Sequence, residues 1–399
     1  MPMALEGITV LDFSQMLAGP FCAMMLGDLG ANVIKIERTK TGDLYRYMAF
    51  GNKFMNEQAA TTFLAWNRNK RSLAIDIKSS EGKEVVYSIA KKADIVIHNF
   101  RPGVMERLGY GYDDLKKINP KIIYASNSGF GPTGPYSERP GQDLLAQGLS
   151  GIMSLTGRKN SAPTPLGTGL PDHLSAYNLV YGILGALFYR ERTGEGQKIE
   201  VDLFRSMLAF EGQELSTILN TDIQCSRPDS GIALPFQDAP YGVYECSDGY
   251  ISIAMGKFDI LAEVLEEPDL LCYNDPQLLY DQRDNIFKLI EGITKSNTKE
   301  YWLKKMLEVD LWVAPVNDIQ DIQHDPQVEH MKSITTYRHP IMGEIKTVSP
   351  AITLSKTPAK IHLPPPMVGQ HSREILLELG LTNEEIESLS SKNIITEYD

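Results

Sequence analysis

Residues 8–37 read ITVLDFSQMLAGPFCAMMLGDLGANVIKIE and contain two short runs of strand-forming residues, Ile8–Phe13 and Val33–Glu37. Because β-branched and aliphatic side chains fit the pleated, buried surface of a sheet, both runs are interpreted as strands. Between them, Gly19-Pro20 presets the start of a helix, and Cys22–Leu26 supplies apolar side chains that can cover the sheet. The stretch therefore predicts a β-α-β unit.

The same alternation continues towards the C-terminus. Ser72–Ile77, Asp94–Asn99 and Lys121–Ser126 are further strand-like runs, separated from one another by longer helical stretches. Strands that alternate with helices are typical of a parallel sheet with helices on both faces. We therefore expect an α/β fold with a Rossmann-like large domain.

The pattern of the sequence changes near Ser206. Lys198–Phe204 is interpreted as a strand, Ser206–Leu219 as a helix, and two alternating runs around Asp248-Gly249 as a β-hairpin. A chain of 399 residues has the length of two or three domains. The predicted divisions are 1–205, the N-terminal part of the large α/β domain; 206–240, a helix and linker; 241–313, a smaller α+β domain; and 314–399, a return linker and the C-terminal part of the large domain.

Composition and charge narrow the class of protein. The chain has 39 basic and 51 acidic residues, a net charge of −12, which disfavours attraction of the whole molecule to nucleic acid or an anionic membrane. The N-terminus has no signal-peptide pattern, and the longest apolar run, Leu179–Tyr189, is shorter than the roughly 18 residues of a membrane span. Four cysteines without a CxxC pair indicate a reducing compartment, so we expect a soluble, cytoplasmic protein.

Neither a dinucleotide nor a metal ion is predicted. Gly129–Gly134 reads GFGPTG and matches GxGxxG, but Pro132 and Pro135 stand where a phosphate-binding helix would begin. The first loop, Ser14–Pro20, lacks the required glycines, and the seven histidines show neither HxH nor HExxH spacing. We expect Gly129–Gly134 to form a glycine-rich turn that passes close to a ligand.

Residues 61–110 carry more basic than acidic side chains. Two polar segments, Asn67–Arg71 and Asn99–Gly103, adjoin predicted strands at the rim where open α/β sheets bind ligands. Charge clustering is also compatible with a solvated basic face, and this alternative stays open.

Asp172 lies in Gly169-Leu-Pro-Asp-His173, between a flexible loop and the apolar helix predicted for Leu174–Phe188. An aspartate at such a junction is typical of a helix N-cap. The junction also lies at the mouth of the predicted sheet, where a carboxylate can act as a nucleophile. Both interpretations remain.

Ordered blocks of residues run along nearly the whole chain. They are Leu5–Phe13, Ala18–Pro20, Leu29–Glu37, Gly42-Asp43, Asn69–Ser72, Asp94–Pro102, Asp172, Thr193–Gln197, Asp248-Gly249, Ala314–Val316 and Gly380. With these blocks the chain resembles the class III CoA-transferases, the formyl-CoA/carnitine CoA-transferase group with its CaiB/BaiF-like members. Spaced blocks in a fixed order are far more specific than any single motif.

The resemblance implies an assembly and a reaction. Members of the family are interlocked homodimers, in which each chain threads through the ring of the other. By position, Asp172 is similar to their catalytic nucleophile, which attacks the thioester of an acyl-CoA donor. CoA then passes to a carboxylic acid acceptor through aspartyl anhydride and aspartyl-CoA thioester intermediates. Acyl-CoA is thus the expected substrate and coenzyme A the group transferred.

The resemblance also implies a CoA-binding surface. Its residues are Met16, Leu17, Ala18, Arg38, Ile75–Lys78, Asn99, Phe100 and Arg107. Cationic side chains suit the phosphates of CoA, and an aromatic ring suits its adenine or pantetheine arm. Leu17 stands where some members have glutamine, and the glycine-run loop of oxalate-specific members is missing near Leu234–Tyr241. These departures argue against formyl-CoA:oxalate exchange.

Two other functions remain as alternatives. α-Methylacyl-CoA racemases of the same fold need a histidine–aspartate pair, since epimerisation takes a base on one face and an acid on the other. Here the corresponding motif is Gly141-Gln142-Asp143, and glutamine does not titrate. A non-catalytic CoA-binding protein would keep the basic rim without depending on Asp172. The acids themselves are not predicted: Tyr45, Arg46 and Tyr136 are candidates for holding a second carboxylate or a hydroxyl, or for packing.

Overall fold

The structure is a computed structural model that describes residues 3–56 and 59–398. The chain divides into two compact units. The first comprises the residues up to Ala146, Gly169–Ala209 and the chain from Pro326 onward, and the second comprises Gln147–Thr168 and Phe210–Asp325. The domain boundaries predicted from the sequence stay predictions.

Strands and helices are numbered along the chain. The strands are β1 (Thr9–Asp12), β2 (Asn32–Glu37), β3 (Phe54–Asn56), β4 (Ala59–Ala60), β5 (Lys70–Ile75), β6 (Ile95–His98), β7 (Ile123–Ser128), β8 (Lys198–Asp202), β9 (Gly242–Cys246), β10 (Gly249–Ile253), β11 (Val313–Pro315), β12 (Ile334–His339), β13 (Gly343–Val348) and β14 (Ile395–Thr396). The helices are α1 (Ala18–Asp28), α2 (Thr61–Trp66), α3 (Ser80–Ala90), α4 (Val104–Leu108), α5 (Tyr112–Ile118), α6 (Asp143–Ser150), α7 (Ile152–Leu155), α8 (Leu170–Thr193), α9 (Leu203–Phe210), α10 (Gly212–Asn220), α11 (Phe258–Val264), α12 (Pro276–Asp281), α13 (Arg283–Thr294), α14 (Lys299–Leu307), α15 (Pro326–His330), α16 (Ser372–Glu378) and α17 (Asn383–Ser391). Short 3₁₀ turns are formed by Leu44–Tyr47, Phe50–Asn52, Pro268–Tyr273 and Ile322–His324.

The first unit is built on a seven-stranded sheet with the order β14-β5-β2-β1-β6-β7-β8. Across the sheet, each neighbouring pair of strands from β5 through β2, β1, β6 and β7 to β8 is parallel, whereas β14 runs antiparallel to β5. The chain moves outward from β1 to β5, then returns to β6 on the other side of β1, which is the doubly wound arrangement. The predicted α/β fold with a large parallel sheet is confirmed.

Apolar side chains cover both faces of this sheet. On one face, Leu11 and Val96 pack in a cluster with residues of α3, α16 and α17. On the other face, Val10 and Ile95 pack with residues of α1 and α8. Consecutive residues of one strand point to opposite faces, so both faces of β1 and β6 are buried, as in parallel sheets generally.

Some predicted bounds are corrected by the structure. β5 begins at Lys70 and ends at Ile75, two residues earlier than predicted, and β8 ends at Asp202 because Leu203 already begins α9. The helix predicted for Ser206–Leu219 is two helices that break at Glu211. The β12–β13 hairpin and the edge strand β14 were not predicted.

The second unit contains a three-stranded antiparallel sheet with the order β11-β10-β9. Ser247-Asp248 connects β9 to β10, so the hairpin predicted there is confirmed. Tyr244 and Ile251 of this sheet are fully buried in a cluster with Phe287 of α13 and Trp302 of α14. Within residues 3–56 and 59–398, none of the helices combines the length and the apolar character that crossing a bilayer takes.

Candidate active site

The loops at the carboxyl ends of β1 and β6 meet at the point where the strand order reverses, which is where open α/β sheets bind ligands. The backbone N–H of Gln15 donates to Oδ1 of Asn99 at 2.9 Å, and Nδ2 of Asn99 donates to the carbonyl oxygen of Gln15 at 2.7 Å. The Asn99 side chain therefore clamps the first loop to the end of β6. This clamp places Met16, Leu17 and Ala18 along one wall of a cavity.

A buried ion pair holds the same loop from the other side. Lys35 Nζ lies 2.8 Å from Oδ2 of Asp43 and donates to the carbonyl oxygen of Ser14 at 2.9 Å. The backbone N–H of Met16 donates to Oδ1 of Asp43 at 3.0 Å, with Met16 at a φ of 68°. A non-glycine residue in this left-handed region is costly and is kept only where its surroundings fix it. Lys35 and Asp43 supply those fixed contacts.

The cavity beside this loop has a volume of about 140 Å³. It is lined by loops that follow β1, β6 and β7 and by the first turn of α8. Its polar and charged lining includes Asn99, Arg101, Asn127, Ser128, Ser137, Arg139, Gln142, Asp143 and Asp172. A space of this size suits an acyl group or a small acid, not a whole nucleotide cofactor.

Asp172 lies in the first turn of α8, which begins at Leu170 with Gly169 as its N-cap. The interpretation of Asp172 as the N-cap is therefore wrong. Its backbone N–H points to Oδ2 of Asp143 at 3.3 Å, and no described residue donates a hydrogen bond to its carboxylate. The Asp172 carboxylate thus lines the cavity and accepts no hydrogen bond from the described part of the chain.

Burial, and then the negative charge of Asp143, raise the pKa of Asp172 to about 7. Both causes disfavour the ionised form, the first by removing water and the second by repulsion. A carboxylate with such a pKa is a stronger base and a better nucleophile than an ordinary aspartate when it is ionised. Perturbed carboxyl groups that line a cavity are typical of catalytic sites.

A larger cavity of about 820 Å³ opens at the carboxyl ends of β1, β2, β5 and β6. Its volume lies in the range of about 300–1,000 Å³ that is usual for cofactor-sized ligands. The structure brings Arg38, Ile75, Lys78, Phe100 and Arg107 together in its lining. Phe100 also lines the smaller cavity, so the two spaces adjoin at this ring.

Three cations of the larger cavity, Arg38, Lys78 and Arg107, are exposed. Across residues 3–56 and 59–398, none of their side chains has a carboxylate within ion-pair distance. Positive side chains without internal partners remain available to phosphate groups of a ligand.

The segment Asn67–Arg71 does not lie at this rim. Since β5 begins at Lys70, the segment is at the opposite, amino edge of the sheet. Arg68 is buried against Asp28 with an N–O distance of 2.7 Å, and Lys70 is buried against Asp12 at 3.0 Å. The segment is therefore neither part of the ligand rim nor a solvated basic face.

The contacts of other residues named from the sequence show what each can do at the site. Arg46 is fully buried against Glu37, with 2.7 Å between Nη2 and Oε2, so it is a packing residue and cannot hold a substrate. Burial, followed by the charge of Asp172, raises the pKa of Tyr45 to about 12, which keeps that phenol neutral. His173 packs edge-on against Phe21 and Trp66, away from the cavity.

Sequence reasoning missed several polar residues of the smaller cavity as site residues, among them Asn127, Arg139 and Asp143. Asn127 precedes the end of β7, so the rule on carboxyl ends of strands would have found it. Arg139 lies in the loop between β7 and α6, where no regular spacing signals its place.

Comparison with known proteins agrees with this geometry. Residues 5–372 match the sequence model of CoA-transferase family III. The chain is 34% identical to succinyl-CoA:glutarate CoA-transferase of Mus musculus over 99% of this chain and 91% of that protein. It is also 34% identical to succinyl-CoA:mesaconate CoA-transferase of Haloarcula hispanica, over 95% and 97% of the two chains.

A solved structure extends the likeness to the fold. The crystal structure of a CaiB/BaiF family protein from Brucella suis superposes with a TM-score of 0.84 at 31% identity, over 95% of this chain and 100% of that one. The sequence-based resemblance to this group is thereby confirmed. The chain belongs to CoA-transferase family III and is an enzyme of the CoA-transferase type.

Proposed function

We propose that the protein transfers CoA from an acyl-CoA donor to a carboxylic acid through covalent intermediates on Asp172. The observation that carries this proposal is the Asp172 carboxylate of raised pKa in a small cavity that adjoins a larger, cation-lined one. A nucleophile placed beside a CoA-sized cavity can meet the thioester at the end of the pantetheine arm.

The reaction proceeds in four exchanges at carbonyl carbons. A carboxylate oxygen of Asp172 attacks the thioester carbonyl, the carbon–sulfur bond breaks, and CoA leaves as a thiolate. The thiolate attacks the aspartyl carbonyl of the resulting anhydride, which releases the donor acid and leaves an aspartyl-CoA thioester. The acceptor carboxylate attacks that thioester and releases the thiolate again. The thiolate then attacks the acyl carbonyl of the second anhydride, which frees the new acyl-CoA and restores the Asp172 carboxylate.

CoA binding is assigned to the two adjoining cavities. Arg38, Lys78 and Arg107 pair with the pyrophosphate and the 3′-phosphate in the larger cavity, because they are exposed and have no internal carboxylate partner among the described residues. Phe100, which lines both cavities, borders the path of the pantetheine arm. Met16, Leu17 and Ala18 form the wall next to Asp172.

The donor and acceptor are proposed to be dicarboxylic acids or their CoA thioesters. The mouse and Haloarcula hispanica relatives are named for succinyl-CoA with glutarate and with mesaconate, and all three acyl groups come from dicarboxylic acids. A racemase is not favoured, since Gln142 lines the cavity where a titrating histidine would be needed and His173 packs elsewhere.

Ionisation of Asp172 gives the reaction a pH dependence. The free enzyme needs the carboxylate form, so kcat/KM for an acyl-CoA is expected to rise about tenfold per pH unit below the pKa and to level off above about pH 7. In Asp143→Asn the repelling charge is gone, the pKa of Asp172 falls, and the rising limb moves to lower pH. Steady-state rates between pH 5 and 9 measure both profiles.

The binding of CoA itself must be recorded at each pH, since its phosphates also titrate. A wild-type profile that is flat between pH 5 and 9 after this correction contradicts the role of Asp172. A limb that moves to higher pH in Asp143→Asn contradicts the proposed repulsion.

We propose that the active protein is a homodimer, and an exposed apolar face on α8 supports this. Tyr177, Tyr181, Leu184 and Phe188 recur at intervals of three or four residues, so they lie on one side of the helix. Their exposed fractions are 50%, 69%, 38% and 66%, an unusual amount of apolar surface for one helix face.

A charge on this face should weaken the dimer. Phe188→Glu is expected to lower the sedimentation-equilibrium mass from twice 44.5 kDa towards the mass of one chain at micromolar concentration. Lys117→Glu, on the exposed side of α5, is the matched control and should leave the mass unchanged. A wild-type protein that sediments as a single chain contradicts the proposal.

A further inference from the structure

Arg139 lies in the loop between β7 and α6 and lines the same small cavity as Asp172. Its guanidinium carbon is 3.9 Å from the centre of the Tyr136 ring, and this ring meets Phe130 edge-on with 6.0 Å between centroids. Stacking on an aromatic face limits the freedom of a guanidinium and leaves its N–H edge available. The side chain is exposed and has no ion-pair partner within the described part of the chain.

The charge in this cavity requires a cation if the substrate is an acid. Asp143 and Asp172 place two carboxyl groups in its lining, close enough that the charge of Asp143 raises the pKa of Asp172. Such a cavity repels a carboxylate that approaches it, and it repels a dicarboxylate more strongly. A guanidinium offsets that repulsion and binds a carboxylate through two parallel hydrogen bonds.

Two arginines, Arg101 and Arg139, line this cavity, and neither of them lines the larger one. Arg101 directly follows Phe100, and among the described residues no aromatic ring lies under its guanidinium. Arg139 belongs to the loop after β7, which contributes nothing to the lining of the larger cavity. Arg139 is the one of the two that an aromatic ring holds in place, so it loses less freedom on pairing with a carboxylate and is the better candidate for meeting a group that extends from the thioester away from CoA.

We infer that Arg139 is a specificity residue that pairs with the distal carboxylate of a dicarboxylic substrate, while the proximal carboxyl reacts at Asp172. This inference rests on the proposed function and adds to it the residue that selects the acid. Tyr136 holds the guanidinium in place by stacking.

The test compares succinyl-CoA with butyryl-CoA, which has the same four-carbon chain without the distal carboxylate. With one acceptor, Arg139→Gln is expected to lower kcat/KM for succinyl-CoA by about 10- to 100-fold, the loss of one charge-assisted pair, and to change the value for butyryl-CoA less than about threefold. Arg139→Lys keeps the positive charge but not the planar guanidinium that can form two parallel hydrogen bonds. Its kcat/KM for succinyl-CoA should lie between the values of the wild type and Arg139→Gln. Arg101→Gln is the matched control and should affect both donors alike.

The inference is overturned if Arg139→Gln leaves the ratio of kcat/KM between succinyl-CoA and butyryl-CoA at its wild-type value. Calorimetric binding of glutarate and of butyrate to the resting enzyme gives a second readout that needs no turnover. Loss of glutarate binding in Arg139→Gln, with butyrate unaffected, supports the inference even if no donor forms an adduct on Asp172. Unchanged glutarate binding refutes it, whereas absence of any Asp172 adduct in the wild type refutes only the covalent mechanism.

Discussion

Asp172→Asn is expected to lower the rate of CoA transfer by a factor on the order of 10³ or more. The amide has nearly the shape of the carboxyl group, but its nitrogen is no nucleophile for a thioester, and no anhydride can form on it. Intact-protein mass spectrometry of the wild type incubated with an acyl-CoA and then with hydroxylamine should show a hydroxamate. Peptide mapping should place it at Asp172, and the variant should show none.

Two controls separate loss of chemistry from loss of structure. Asp172→Asn should bind CoA within about threefold of the wild type, whereas Arg107→Ala, in the larger cavity, should bind it more weakly and still form the adduct at saturating donor. Asp143→Asn removes a carboxylate from the same cavity and should keep the adduct. Transfer at the wild-type rate by Asp172→Asn, or a label on another peptide, contradicts the proposed mechanism.

The raised pKa of Asp172 also affects stability. Its folded-state pKa of about 7 lies above the ordinary value of 3.8, so the stability that the protonated carboxyl retains below about pH 3.8 is lost progressively as the pH rises to about 7. Asp172→Asn cannot ionise and should therefore gain in thermal midpoint over the wild type at pH 8 but not at pH 4. A catalytic carboxylate that lowers the stability of the folded protein is typical of the stability–activity trade-off.

Local sequence patterns were sufficient to predict the parallel sheet, because β1, α1 and β2 form three separate, mostly buried segments within thirty residues. The rule on carboxyl ends of strands likewise brought Asn99 and Phe100 to the rim where the structure has them. Both inferences need only short-range information.

Contacts between distant residues could not be predicted in this way. Arg68 and Lys70 look like surface cations in the sequence, but each meets an aspartate 40 and 58 residues away, respectively, in the folded protein. Helix α8 begins at Leu170, four residues before the predicted start at Leu174, and this shift turns Asp172 from a cap into a first-turn residue. Arg139 lies in a loop whose path is determined by stacking on Tyr136 and by the close approach of Gly129 to Gly141. Such tertiary contacts leave no periodic signal.

Glu37→Ala is expected to lower the free energy of unfolding by about 3–5 kcal/mol, the usual cost of breaking one side of a buried ion pair. Glu37 accepts from Nε of Arg46 at 2.9 Å and from its Nη2 at 2.7 Å, and both side chains are fully buried. Ser72 Oγ donates to the same carboxylate at 2.6 Å. Urea denaturation at pH 7 measures the loss. Glu378→Ala, which removes an exposed partner of Arg71, is the matched control and should cost less than about 1 kcal/mol.

The pH dependence of this effect has the opposite sign to that of Asp172. Burial opposes ionisation of Glu37, but the charge and hydrogen bonds of Arg46, with Lys35 and Ser72, hold its pKa at about 2. The stability that the carboxylate contributes is therefore present above the ordinary value of 4.5 and is lost as the pH falls towards 2. Glu37→Gln resembles the protonated acid, so its deficit relative to the wild type should be constant above about pH 5 and shrink at lower pH.

A double variant without either charge distinguishes the stability cost of an unpaired buried charge from the cost of lost packing. Glu37→Leu combined with Arg46→Met leaves no buried guanidinium without its counter-ion, so the double variant should be more stable than Glu37→Ala. If the double variant is instead less stable than either single change, packing of Arg46 on the Phe63 ring, 3.6 Å from its guanidinium carbon, outweighs the ion pair. Because Glu37 directly precedes Arg38 in the lining of the larger cavity, Glu37→Ala should also weaken CoA binding. The double variant has leucine and methionine side chains at these two buried positions, so it should recover part of the affinity for CoA.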